Sequence, residues 1–266
     1  MDSQAIKYPI YIVSKGRYYN PMTAKMFMKE NINFKIAVEP QEYDLYKEKI
    51  PEKYILKLPF SNLGLGSYPA RNFCWHDSIQ NGFDKHYIFD DNISNFSELN
   101  NGVRKKMSAK KALIGLQNFV GIFDNVDISG FNYRYFVTSK TTKPFVTNTH
   151  VYSGMLINNK TPYRWRLKYN EDVDLCLQVL HNGRCTILLN AYLIDKTSTA
   201  AKMKGGNQDN LYQGNDPKKK ILKAKVLHEM WPQYVKTVIR FNRPHHYINW
   251  KKYFKQPLIK LKDLKK

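Results

Sequence analysis

Between residues 8 and 95, short apolar runs rich in β-branched and aromatic residues alternate with stretches of helical spacing. Residues 8–13 (YPIYIV), 34–38 (FKIAV), 54–58 (YILKL) and 86–89 (HYIF) are too short for helices and suit buried strands. Residues 21–31 (PMTAKMFMKEN) repeat apolar side chains three and four apart behind a proline. A first helical turn tolerates proline because its amide has no partner there. Glu39-Pro40 ends the second run, and residues 41–49 predict a second helix. Residues 62–66 (NLGLG) predict a flexible loop, and 68–79 a helix carrying Ala70, Arg71 and Asn72. Strand and helix in alternation predict an α/β fold, a mostly parallel sheet flanked by helices.

Downstream, residues 108–119 and 171–181 (EDVDLCLQVLH) predict helices. Residues 128–137, 151–157 (VYSGMLI) and 185–189 predict strands. Residues 197–212 are polar, hold Gly205-Gly206-Asn207, and predict a loop able to close over a ligand. The composition changes at Lys218. That divides the chain into residues 1–217 and a basic, aromatic, mainly helical extension, 218–266.

Charge narrows the partners. Forty-three Lys and Arg oppose 22 Asp and Glu, a net +21, which attracts polyanions such as nucleic acid, an anionic membrane surface or acidic sugars. Residues 218–266 hold 15 of the cations and only two acids, Glu229 and Asp263. Trp231, Tyr234, Phe241, Tyr247, Trp250, Tyr253 and Phe254 are interleaved with them. This mixture suits phosphate contact and base stacking; a capping segment with a solvated basic face fits it equally. With 42% hydrophobic and 14% aromatic residues, a disordered chain is excluded. An odd count of three cysteines without a Cys-x-x-Cys pair predicts a reducing, cytoplasmic setting. Neither a membrane-length apolar run nor a signal-type start is present, so no membrane association is expected.

Four clusters can carry chemistry. Asp90-Asp91-Asn92 ends the fourth predicted strand, the edge at which open α/β sheets bind ligands. Paired carboxylates there suit Mg²⁺ or Mn²⁺; a solvated turn fits them too. Glu171 and Asp172 open a helix, with Asp174 two residues on. Such residues are also good caps, and Asp172 is the better candidate for taking a proton. Ser14-Lys15-Gly16-Arg17 follows the first strand and can approach phosphates. Glu39 follows the second strand. Arg71 and Asn72 could reach a nucleotide from the third helix; alternatively Arg71 makes only a surface ion pair.

The order of these elements resembles GT-A-type glycosyltransferases, and in particular the TET-associated glycosyltransferase family. The residues behind the likeness are YIVSKGR at 11–17, ARN at 70–72, YIFDDNI at 87–93, YSGMLI at 152–157, NEDVDLCLQVL at 170–180 and KGGN at 204–207. The resemblance implies a nucleotide-sugar half at about 8–95 and an acceptor half at 96–217. It also implies a UDP-sugar donor held by Ser14, Lys15, Gly16, Arg17, Glu39, Arg71, Asn72, Asp90 and Asp91. A Mn²⁺ or Mg²⁺ would sit on Asp90, Asp91 and Asn92. Asn92 departs from the usual Asp-x-Asp signature, leaving a ligand without charge, and a third ligand would come from His228, His245, His246 or Asp209. Asp172, with Glu171, would deprotonate an acceptor hydroxyl with inversion, or orient the sugars if configuration is retained. The implied acceptor is a modified DNA base such as 5-hydroxymethylcytosine, and the implied setting a bacterial cytoplasm infected by phage. Two rivals fit parts of the sequence. A metal-dependent nuclease would use Asp90, Asp91, Glu171 and Asp172, and a non-catalytic nucleic-acid-binding module would use the tail.

Overall fold

A computed structural model describes residues 4–196, 205–206, 217–240 and 243–264. Strand β1 (Ile10–Val13) is followed by α1 (Met22–Lys29), β2 (Lys35–Val38), α2 (Tyr43–Lys47), β3 (Ile55–Lys57), α3 (Tyr68–Gln80) and β4 (Lys85–Asp90). β1 lies between β2 and β4, and β2 pairs β3, all in parallel. These strands read as continuous apolar runs because both faces are covered. Ile10, Ile12, Ile36, Val38, Tyr87 and Phe89 pack in one core cluster, while Tyr11, Ala37 and Ile88 pack in the other. Alternate side chains of a strand point to opposite faces, so each strand feeds both layers.

The chain continues through β5 (Ile93–Asn100), β6 (Val103–Met107), α4 (Ala109–Val120), β7 (Val126–Tyr133), β8 (Phe145–Thr147), β9 (Gly154–Asn158), α5 (Glu171–His181) and β10 (Cys185–Lys196). The sheet has ten strands in the order β3-β2-β1-β4-β9-β7-β10-β5-β6, with β8 pairing β10 off that path. β9 runs antiparallel to both β4 and β7; β10 is parallel to β7. Hairpin β5–β6 is absent from the sequence expectations, because ISNFSELN and VRKKM are too polar to stand out as strands. Its turn, Asn101-Gly102, has positive φ at both residues, the backbone that two-residue hairpins need.

The extension folds as α6 (Pro217–Met230), a hairpin of β11 (Val235–Arg240) and β12 (Arg243–Ile248), and the short α7 (Trp250–Tyr253). The hairpin, too, is absent from the sequence expectations. Leu227, Trp231, Val235, Ile248 and Phe254 share a core with Leu167 and with Val173, Leu177 and Leu180 of α5. Trp231 donates its indole N–H to the buried Asp174 at 2.8 Å, and Arg166 and Gln178 donate to the same carboxylate. Trp231 and Phe254, in a stretch whose composition suited base stacking and a capping segment equally, are core residues; Phe241 lies outside the described residues. The final segment then straps back across the body: Asp124 N donates to Ile259 O at 2.9 Å and Asn125 Nδ2 to Pro257 O at 2.8 Å. No helix among the described residues is long and apolar enough to cross a membrane, and the three cysteines are buried free thiols.

Candidate active site

Parallel strands β1, β2 and β4 end at one edge of the sheet, and four of the singled-out clusters meet there. The Ser14–Arg17 loop is held from below. Ser14 Oγ donates to Asp91 Oδ2 at 2.6 Å, and Arg17 pairs with Asp91 Oδ1. Gly16 N donates to Glu42 Oε2 at 2.7 Å. Lys15 Nζ lies 2.8 Å from both oxygens of Glu39 and donates to Asn62 Oδ1 at 2.9 Å. From the far end of the sequence, Gly206 N donates to Lys15 O at 2.7 Å. A Cβ on Gly205 would stand 2.2 Å from Gly16 O, so only glycine permits this approach. Gly205 and Gly206 thus seat on the SKGR loop; the rest of the expected lid, 197–204 and 207–212, lies outside the described residues.

Arg71 is the hub of the site. It is buried on α3, where its Nη2 donates to Asp90 Oδ1 at 2.6 Å and its Nε lies 3.7 Å from Glu171 Oε1. Lys196, the last residue of β10, donates to Asp90 Oδ2 at 2.6 Å and to Ser153 Oγ at 2.8 Å. Ser153 adopts φ 57, a conformation uncommon outside glycine and often found at functional sites. Burial alone would raise the Asp90 carboxyl, but Lys196 and Arg71 outweigh it and hold the group below the ordinary range.

The helix start lies on the other side of Arg71. Asn170 takes a left-handed conformation before α5, turning Glu171 and Asp172 into the first helical turn, where free amides favour carboxylates. Glu171 accepts from Ser67 Oγ at 2.8 Å. Asp172 Oδ2 lies 3.0 Å from His150 Nε2, and the His150 ring stacks on Trp250 of the extension, centroids 6.3 Å apart. The two adjacent carboxyls are driven apart. Burial and the Asp172 charge push Glu171 up. Burial would also raise Asp172, but His150 and then Arg71 hold it down to about 2. Opposed shifts on neighbouring carboxyls mark separate roles.

The carboxylates do not fit a shared cation. Asp91 faces Ser14 and Arg17, whereas both oxygens of Asp90 are occupied by Arg71 and Lys196. A divalent ion on Asp90 would sit against two fixed positive charges. Among the described residues no three His, Cys, Asp or Glu side chains group to hold a metal. His228, His245 and His246 form no such group with Asp90 and Asp91 among the described residues, and Asp209 lies outside them. The four-carboxylate constellation of a nuclease is likewise not assembled: Arg71 stands among Asp90, Glu171 and Asp172. Asn72 is brought to the edge but used elsewhere, exchanging hydrogen bonds with the main chain of Trp165 at 2.7 and 3.1 Å.

Sequence reasoning overlooks three participants. His150 is one histidine among seven, in a segment without periodicity. Lys196 is one cation among 43. Ser153 is singled out by its φ value, a property of the folded backbone. The YSGMLI run contains Ser153 and begins two residues after His150, without indicating the partners of either.

An α/β sheet with charged side chains gathered at the carboxyl edge of its parallel strands belongs to the class of open α/β folds that bind ligands at that edge. Within that class the chain belongs to the TET-Associated Glycosyltransferase family, whose pattern it matches over residues 8–206. No curated protein matches it. Among solved structures it is similar to a protein from Desulfovibrio desulfuricans G20 provisionally described as a nucleotide-diphospho-sugar transferase. The identity is 10% and the TM-score 0.40, over 68% of this chain and 79% of that one. A likeness that distant carries no argument about substrate or mechanism.

Proposed function

We propose that the protein transfers a sugar from a UDP-sugar to the hydroxyl of a modified DNA base such as 5-hydroxymethylcytosine. The observation that carries the reading is the unbroken charged chain Lys196–Asp90–Arg71–Glu171/Asp172–His150, which places cations for a diphosphate beside a carboxylate–imidazole pair for a proton. In this reading Ser14 to Arg17 and Glu39 frame the nucleoside, with Gly205 and Gly206 closing on the loop. Arg71 and Lys196 receive the diphosphate, and Asp90 fixes both cations. Asp91 acts from beneath by holding Arg17. No step is assigned to Mn²⁺ or Mg²⁺, because Arg71 and Lys196 already stand where the ion's charge would act.

The acceptor oxygen attacks the anomeric carbon as the bond to the diphosphate breaks, and the bonding electrons leave with the phosphate. The hydroxyl proton passes to His150, and Asp172, already ionised, stabilises the imidazolium. Asp172 thus keeps its place in proton transfer and gains a partner. The direct test is mass spectrometry of hydroxymethylated DNA after incubation with a panel of nucleotide sugars. The expected result is a gain of one sugar mass per modified base. No mass gain and no UDP release with any donor would sink the reading.

A further inference from the structure

One feature of the molecule lies outside the chain of charges yet touches its end. The turn after β7 exposes Tyr135 and Phe136, 59% and 60% accessible, the most exposed aromatic side chains among the described residues. Two neighbouring rings in water forfeit the burial that aromatics usually gain. The turn is not loose. Arg104, on β6, donates to Arg134 O at 2.9 Å and Val137 O at 3.2 Å. Arg134 N donates to Ile194 O at 3.0 Å, and Phe136 N to Tyr133 O at 3.0 Å. The rings are therefore presented by a braced backbone.

Beside them opens a cleft of about 390 Å³ lined by Ser94, Arg104, Arg134, Tyr135, Asp195 and Lys196. Its acid, Asp195, lies 3.7 Å from Arg134, so the lining keeps a positive excess. The adjoining edge strand β6 exposes Arg104, Lys105 and Lys106. From the surface inward the rings form a ladder. Tyr135 stacks on Tyr133 with centroids 5.1 Å apart, and Tyr133 packs at a tilt against Tyr152 at 4.3 Å. The Tyr133 hydroxyl meets Ser153, and Lys196 Nζ lies 5.7 Å over the Tyr133 ring. The ladder thus ends on the groups that grip Asp90.

We propose that the Tyr135–Phe136 turn and the Arg104–Arg134 cleft form the platform on which an unstacked nucleotide of the acceptor DNA strand lies. Its base would stack on the exposed rings and its phosphates run along the basic edge of β6. The inference rests on the DNA-acceptor reading and names the surface that serves it. Rings with flanking cations suit a single strand or an extruded base, because every base offers a π face and every nucleotide a phosphate. An acidic protein would meet the charges but leave the rings unexplained, and a neutral glycan the reverse.

The test uses the full chain and a fluorescently labelled single-stranded oligonucleotide containing 5-hydroxymethylcytosine. In anisotropy titrations the double variant Tyr135→Ala/Phe136→Ala should bind at least about ten-fold more weakly than wild type, the scale of one lost base stack. Its melting temperature and UDP affinity report that it is folded. Phe136→Trp should retain affinity, and its added indole fluorescence, taken as the difference from wild type, should be quenched by the oligonucleotide. Lys105→Gln/Lys106→Gln should flatten the dependence of affinity on salt. Wild-type binding with the alanine variant within two-fold, or an unquenched indole, overturns the platform alone. A wild type that binds no oligonucleotide overturns the DNA reading and the platform together; UDP release from a donor sugar then tests sugar transfer separately.

Discussion

His150 and Asp172 show how one contact can redistribute roles between two residues. An Asp at the start of a helix is a plausible base by itself, but this one is held down to about 2 by His150 and Arg71 against the effect of burial. A carboxylate that weakly basic orients and charges an imidazole better than it takes a proton. His150→Gln and Asp172→Asn should each cut transfer by roughly 10²-fold, the scale of general-base catalysis, with UDP affinity nearly unchanged in calorimetry. Equal turnover in His150→Gln and wild type would return the proton to Asp172. Asp90 makes the contrasting point: both its oxygens are taken by cations. Excess chelator should therefore leave UDP affinity within about two-fold. Lys196→Gln should weaken it by about ten-fold, equivalent to about 1.4 kcal/mol, close to the lower end of a hydrogen bond to a charged group. Loss of UDP binding in chelator would restore a metal to the site.

Among the elements, the extension is the one whose composition left two readings open. By composition it suits a basic nucleic-acid arm and a capping segment equally; α6 and the β11–β12 hairpin cover Leu167, Val173, Leu177 and Leu180, and α7 places Trp250 on His150. Removing everything after residue 216 would re-expose those four side chains, at roughly 1.5–3 kcal/mol each. That sum rivals the whole stability of a typical domain, so the truncated protein should be insoluble or unfolded by circular dichroism rather than folded and merely deficient in DNA binding. A soluble truncation with a cooperative melt would show the extension to be independent. A finer probe is Trp231→Phe, which keeps the ring and removes the donor to Asp174. It should cost about 1–3 kcal/mol in urea unfolding, the penalty for leaving a buried acceptor short of a partner.

For the molecule as a whole, two histidines contribute acid sensitivity between pH 6.5 and 4. His86, buried between Tyr11 and Trp75, is lowered to about 4, burial being the main cause. His246 is lowered to about 4 by burial and by the charge of His150. Each titrates at 6.5 when unfolded. Between pH 6.5 and 4 the unfolded chain binds more protons than the folded one, so this stability is full above 6.5 and is lost as pH falls toward 4. For the fully enclosed His86 the loss is on the order of 3 kcal/mol. Urea midpoints should drop steeply from pH 7 to 5, and His86→Gln should remove part of that slope whatever its stability at pH 7. A flat midpoint across this range would contradict the burial of His86.

Local pattern by itself carried the first half of the fold. The strand runs at 8–13, 34–38, 54–58 and 86–89 are legible because strands buried on both faces are continuously apolar, and the helices between them because their spacing is 3.6. It also carried the order of the motifs, hence the family. Tertiary structure alone decided what each polar residue faces. Asp90 and Asp91 are neighbours in sequence but point to different cations, since successive side chains at a strand end diverge. Lys196 and Ser153 meet Asp90 only when β9 and β10 are laid into the sheet, and Trp250 reaches His150 only once the extension has packed on α5. Net charge says that a polyanion is near; the braced turn at Tyr135 and Phe136 is placed by Arg104 and Ile194, residues 30 or more positions away. Contacts of that range leave no periodic trace in a chain, because they depend on strand order rather than on spacing.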